Sequence, residues 1–122
     1  METIKSYTDI EQSKKLAKIL PIESADMFLA LNGTVPVMSK YIDDGLVTAD
    51  NTAIPCWSLA ALMNFIESLG KVEINFNCSS NKYWVNVHFE SMGSFCQDHE
   101  LYDSKIDALI AIIKKLKSRN LL

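Results

Sequence analysis

A chain of 122 residues, 48% hydrophobic and 22% charged, has the size and composition of one globular domain with a single core, far from the apolar-poor regime of disorder. No apolar run approaches the roughly 18 residues of a membrane span, Met1 to Tyr7 lack the apolar core of a secretory signal, and three widely spaced cysteines are an odd number unsuited to a disulfide framework. The net charge of −3 divides as +1 over residues 1–20, −8 over 21–103 and +4 over 104–122, so no basic field of the kind that dominates nucleic-acid affinity covers the whole chain. A cytoplasmic protein, with no membrane association, is the expectation.

Thr8-Asp9-Ile10-Glu11 fits a capping box with Thr8 as cap, and Pro21 forbids easy continuation past Leu20, which predicts a first helix over about 9–20. Its apolar positions form a partial stripe, placing it at the edge of the core or making it an interaction helix. Met27 to Leu31 and Thr34 to Met38 flank Asn32-Gly33, the turn dipeptide in which both residues take positive φ, and so predict a hairpin. Pro36 has no N–H for a ladder and puts that strand at a sheet edge. Residues 39–55 read as turn and loop, with a brief extended piece at Leu46 to Thr48. Ser58 and Gly70 bracket a second helix whose Leu59, Leu62, Met63, Ile66 and Leu69 share one face.

From residue 71 the period changes. Val72, Ile74 and Phe76 alternate with Glu73, Asn75 and Asn77, predicting a strand over 71–77 that turns through Ser79-Ser80-Asn81-Lys82. Tyr83, Val85, Val87 and Phe89 then alternate with Trp84, Asn86, His88 and Glu90 in a second, antiparallel strand. Gly93 to Gln97 supply a third short strand. Asp103 or Ser104 caps a last helix in which Ile106, Leu109, Ile110, Ile113 and Leu116 make the apolar stripe that covers one sheet face. The predicted order is α-β-β-α-β-β-β-α in one domain over residues 1–122. The fold class is α+β, a mainly antiparallel sheet with helices packed on one face.

Candidate chemistry is sparse. Cys56, in Pro55-Cys56-Trp57-Ser58, stands at the predicted start of the second helix, where the dipole favours a thiolate; nothing local supplies a base, so a small buried hydrophobe beside Trp57 is expected instead. Cys96-Gln97-Asp98-His99 presents half of a zinc-site spacing, to which Cys78 or His88 would have to be added. Paired carboxylates, Asp98 with Glu100 and Asp43 with Asp44, lie in polar surroundings that do not separate their proton affinities. No phosphate loop, dinucleotide fingerprint, zinc-protease helix or nucleophile elbow occurs. No catalytic residue, cofactor or metal is therefore expected.

Two residue sets remain. Trp84, Asn86 and His88 fall on the strand face opposite the apolar row, where either Trp84 together with Tyr102 or Tyr41 makes an exposed aromatic interaction patch or the loop over residues 39–55 folds across it. Lys114, Lys115, Lys117 and Arg119 crowd the end of the last helix, a placement that its dipole favours.

Ile10 through Pro21 with Ser24-Ala25-Asp26-Met27, the run Ile54 through Leu62, and the ending from Asp107-Ala108 to Asn120-Leu121-Leu122 together resemble small uncharacterised proteins of gut-bacterial prophages and mobile elements. The resemblance implies an accessory protein of a phage or mobile element and carries no activity, cofactor or site residue with it. The closing strand, strand, strand, helix order, with Asp107-Ala108-Leu109 near the helix start, is also similar in outline to antitoxin-type domains, without their glycine-rich signature. The expectation is a non-enzymatic interaction or adaptor module, a homodimer or bound to a protein partner, using Trp84, Asn86 and His88 or the first helix. The alternative is a nucleic-acid-associated regulator using the basic end of the last helix.

Overall fold

The computed structural model describes residues 6–30, 36–38, 53–91, 93–96 and 101–122. The expected Asn32-Gly33 turn, the extended piece at Leu46 to Thr48, Tyr41, His99 and the pairs Asp43 with Asp44 and Asp98 with Glu100 lie outside the described residues. The fold class is α+β, and the strands divide between two three-stranded antiparallel sheets. The chain forms two compact units, residues 7–61 and residues 62–122 with 1–6.

In the first unit, α1 spans Ile10–Leu16, a 3-10 turn Ile22–Ser24, β1 Met27–Ala30, β2 Pro36–Met38 and β3 Ala53–Cys56, with the order β2-β1-β3. The cap of α1 is Asp9, not Thr8: the Asp9 carboxylate accepts from the Gln12 N–H at 2.8 Å while the Gln12 amide oxygen accepts from the Asp9 N–H at 3.1 Å. Thr8 is withdrawn from capping because its hydroxyl is buried and accepts the Trp57 N–H at 3.1 Å. The helix is also shorter than the expected 9–20, its last turn tightening through Ile19 and Leu20, whose N–H groups both donate to the Leu16 carbonyl.

The second correction is β3. Residues 53–55 read as loop and Cys56 as a helix start, but Ala53–Cys56 is a strand paired to β1, Leu29 opposite Ile54 and Met27 opposite Cys56. Pro55 is compatible with this because β3, like the Pro36-bearing β2, is an outer strand of its sheet among the described residues. The helix that follows, α2, spans Leu59–Glu67. Ser58 caps it as expected, its Oγ accepting the Ala61 N–H at 3.1 Å.

In the second unit, β4 spans Val72–Ser79, β5 Lys82–Phe89, β6 Gly93–Cys96 and α3 Lys105–Ser118, with the order β4-β5-β6. Gly70, with φ +143°, ends the approach to β4 in backbone space that side chains rarely enter. Ser79 pairs with Lys82, which leaves Ser80 and Asn81 as a two-residue loop with φ 51° and 64°. Positive φ at both positions is the mark of a type I′ turn, here made without glycine. The β4–β5 register puts Val72, Ile74 and Phe76 on one face with Val85, Val87 and Phe89, and Phe95 joins them opposite Val87.

Helix α3 covers that face. Ser104 caps it, the Asp107 N–H donating to Ser104 Oγ at 3.0 Å. The five predicted stripe residues are all buried, and Ala108 and Ile112 widen the stripe into an arc of seven. At the other end Asn120 takes a left-handed φ of 59° while its N–H and that of Leu121 reach back to the Lys117 and Leu116 carbonyls, the paired bonds of a Schellman motif. Two cations pin the ends: Lys105 Nζ lies 5.2 Å from the Phe76 ring centre on β4, and the Arg119 guanidinium 5.2 Å from that of Phe95 on β6. The helix therefore runs obliquely over the sheet, from the β4 side to the β6 side. Phe89 and Phe95 meet edge to face at 5.8 Å beneath it.

Two substitutions test this packing. Leu109→Ala, at a fully buried position in the middle of the arc, is expected to lower unfolding stability by about 3 kcal/mol, read as a lower urea midpoint at unchanged slope. Replacing Ser80-Asn81 by Asn-Gly relieves two left-handed backbones and is expected to raise stability by about 1 kcal/mol in the same assay.

Candidate functional site

Burial of Val85, Val87 and Phe89 beneath α3 dictates what the other side of β5 presents, since successive strand residues point to opposite faces. Trp84, Asn86 and His88 stand in a row there. The register supplies their neighbours: Asn77 opposite Trp84, Asn75 opposite Asn86, and Glu73 opposite His88 from β4, with Ser94 opposite His88 from β6. Glu73, Asn75, Asn77, His88 and Ser94 are exposed; Trp84 and Asn86, on the central strand, are half-buried. His88 Nδ1 and Ser94 Oγ are hydrogen-bonded at 2.8 Å, which fixes the ring's orientation across the β5–β6 ladder.

This face carries side-chain amides, one indole, one imidazole and one carboxylate, a set that offers donors and acceptors around an aromatic anchor. The amides Asn75 and Asn77 were legible as the polar row of their strand; their seating beside Trp84 and Asn86 needed the register. Ser94 carried no signal of its own, because its position against His88 depends on the length of the β5–β6 connection.

Tyr102 does not join the patch. Its N–H and C=O both bond Tyr83, at 2.9 Å and 2.6 Å, and an antiparallel pair of this kind puts Tyr102 on the same side as Tyr83, opposite to Trp84. An ion pair between Lys82 and Asp103 holds the chain beside it. The basic residues are distributed around the end of α3: Lys114 and Lys117 on one side, Lys115 and Arg119 on another, as the 100° step of a helix requires, with Arg119 over Phe95. Cys78 is exposed near the end of β4, and among the described residues no group of three or more His, Cys, Asp or Glu is placed to hold a metal ion.

Cys56 sits elsewhere, in the first unit, at the end of β3 and not at a helix N-terminus. It is fully buried in a polar knot: its thiol donates to the Thr8 carbonyl at 3.3 Å, Thr8 Oγ1 is 3.6 Å from the sulfur, and the Thr8 and Ser13 hydroxyls share a hydrogen bond of 2.8 Å. Trp57 beside it is buried as well, its indole N–H donating to Ser24 Oγ at 2.9 Å. Burial pushes the Cys56 thiol up from its ordinary pKa, outweighing the hydrogen bonds from Thr8 and Ser13 that pull the other way. Its burial therefore favours the protonated thiol over the thiolate.

No family model matches this chain, and neither a curated protein nor a solved structure shows a significant match to it.

The burial of Cys56 has a measurable outcome. Alkylation mapped by mass spectrometry at neutral pH is expected to modify Cys78 promptly and Cys56 only after unfolding. Because the folded thiol holds its proton more tightly than the unfolded one, its contribution to stability is complete below the unfolded thiol's pKa and is lost as pH rises through the folded one; Cys56→Ala is expected to lack that part of the alkaline decline.

Proposed function

We propose that this protein is a non-enzymatic interaction module that binds another protein through the outer face of its second sheet, with Trp84 as the anchor and Asn86 and His88 as polar neighbours. The observation that carries the reading is the position of Trp84. A large indole stands on the sheet face opposite α3, on the central strand, with the exposed amide of Asn77 directly opposite it and that of Asn75 one same-face pair further along. An aromatic centre surrounded by hydrogen-bonding groups is the arrangement that concentrates binding energy at protein interfaces. No helix of the described residues is long and apolar enough to cross a membrane, and a cytoplasmic setting fits this reading. The resemblance of Ile10 through Met27 and Ile54 through Leu62 to small prophage proteins supports a role as an accessory protein of a phage or mobile element.

The test is a quantitative affinity purification from the native host, wild type beside Trp84→Ala. A partner recovered with the wild type and bound about 30-fold more weakly by the variant, the equivalent of about 2 kcal/mol, is the expected result. Equal recovery with both proteins overturns the reading. Copurifying nucleic acid that leaves steeply with added salt would transfer the function to Lys114, Lys115, Lys117 and Arg119.

A further inference from the structure

The second sheet ends at β4, whose other side is paired with no strand among the described residues. Eight residues, Val72–Ser79, make it as long as β5. It has no proline, an unbroken register and one charged residue, Glu73. Sheet edges are commonly blunted by proline, bulges or charge, as Pro36 and Pro55 do on both outer strands of the first sheet. β4 has none of the first two and little of the third.

Its backbone is aimed outward in a defined pattern. The Glu90 N–H donates to the Lys71 carbonyl at 3.0 Å, which makes that pair a hydrogen-bonded one. Bonded and non-bonded pairs alternate, so residues 73, 75, 77 and 79 spend their backbone groups on β5, and Val72, Ile74, Phe76 and Cys78 direct theirs to the open side. The apolar row is incomplete along the same edge: Val85 and Val87 on β5 are 0% exposed, while Val72, Ile74 and Phe76 on β4 are only half-buried.

We infer that β4 is a dimerisation edge, occupied by β4 of a second copy of this chain in antiparallel pairing about a two-fold axis at Asn75. The strand is self-complementary in that register. Ile74 meets Phe76 of the second copy and Val72 meets its Cys78, through the outward-directed backbone groups, so the half-buried apolar row continues across the axis. On the other face Asn75 meets Asn75 and Glu73 meets Asn77, so no like charges stand opposite one another. A closed, isologous pair of this kind joins two three-stranded sheets into one of six strands. The edge shares Asn75 and Asn77 with the Trp84 face, so the two readings are separated by Trp84→Ala, which removes the anchor of the face and leaves the backbone of the edge intact.

Sedimentation and native mass spectrometry of the full chain are expected to give a dimer, unchanged in Trp84→Ala. Asn77→Asp places two carboxylate pairs opposite one another across the axis and should weaken dimerisation several-fold. Adding Glu73→Lys to it creates two opposite-charge pairs and should restore the wild-type affinity, and both positions are solvent-exposed, so the monomer tolerates either change. In a background with Cys78 and Cys96 replaced by Ser, Asn75→Cys faces its own copy at a non-hydrogen-bonded pair, where the Cα separation of about 4.5 Å lies within disulfide reach. Diamide should then give a linked dimer that the parent background does not. A monomeric wild type, an Asn77→Asp variant of undiminished affinity, or no cross-link from Asn75→Cys overturns the inference, as does a monomer found with an extended segment of another protein on this edge.

Discussion

The buried arc of α3 against one face of the β4-β5-β6 sheet is the contact on which the second unit depends. Its seven inward side chains need an apolar floor, and the alternation in β4 and β5 supplies one only in a single parity. A slip of one residue would turn Trp84, Asn86 and His88 under the helix and bring Val85, Val87 and Phe89 to the surface. The core thus determines the candidate site without touching it. Lys105 and Arg119 reinforce the same choice from the two ends of the helix, each cation laid on an aromatic ring of an outer strand.

The first unit is held by a different means. Beside the apolar burial of Leu16 and Leu20 stand buried polar groups that satisfy one another: Thr8 with Ser13, Cys56 and the Trp57 N–H, and the Trp57 indole with Ser24. Asp26 adds a carboxylate that accepts from both the N–H and the hydroxyl of Ser58, and Ser58 in turn caps α2. Such a network fixes geometry at the cost of tolerance, because removing one member strands the others in a low-dielectric interior. Cys56 belongs to this network, and its burial there favours the protonated thiol in spite of the neighbouring hydroxyls, which favour the thiolate.

The sequence disclosed most where one period ran long enough to be unambiguous. Residues 72–77, 83–89 and 106–116 carried their faces openly, and with them the position of Trp84, Asn86 and His88. Pro36 rightly marked an outer strand. The misread places are short. Asp9 and Thr8 are both good caps, and only the burial of Thr8 against Trp57 decides between them. Ala53–Cys56 is four residues long and contains a proline, so the ladder that makes it a strand exists only once β1 lies beside it. The partition of strands between two sheets, and the pairing of Tyr102 with Tyr83 and not with Trp84, likewise depend on partners distant in the chain. Local periodicity carries no record of them.

The two-residue loop at Ser80 and Asn81 bears on the order of events in folding. With β4, β5 and β6 joined by short connections, the strands of the second sheet meet after closing loops of a few residues, and chain closure of that size takes far less than a microsecond. Leu29 must find Ile54 across 24 intervening residues before the β1–β3 ladder exists. On sequence separation alone, the hairpin carrying Trp84 is expected to form early and the β1–β3 ladder later.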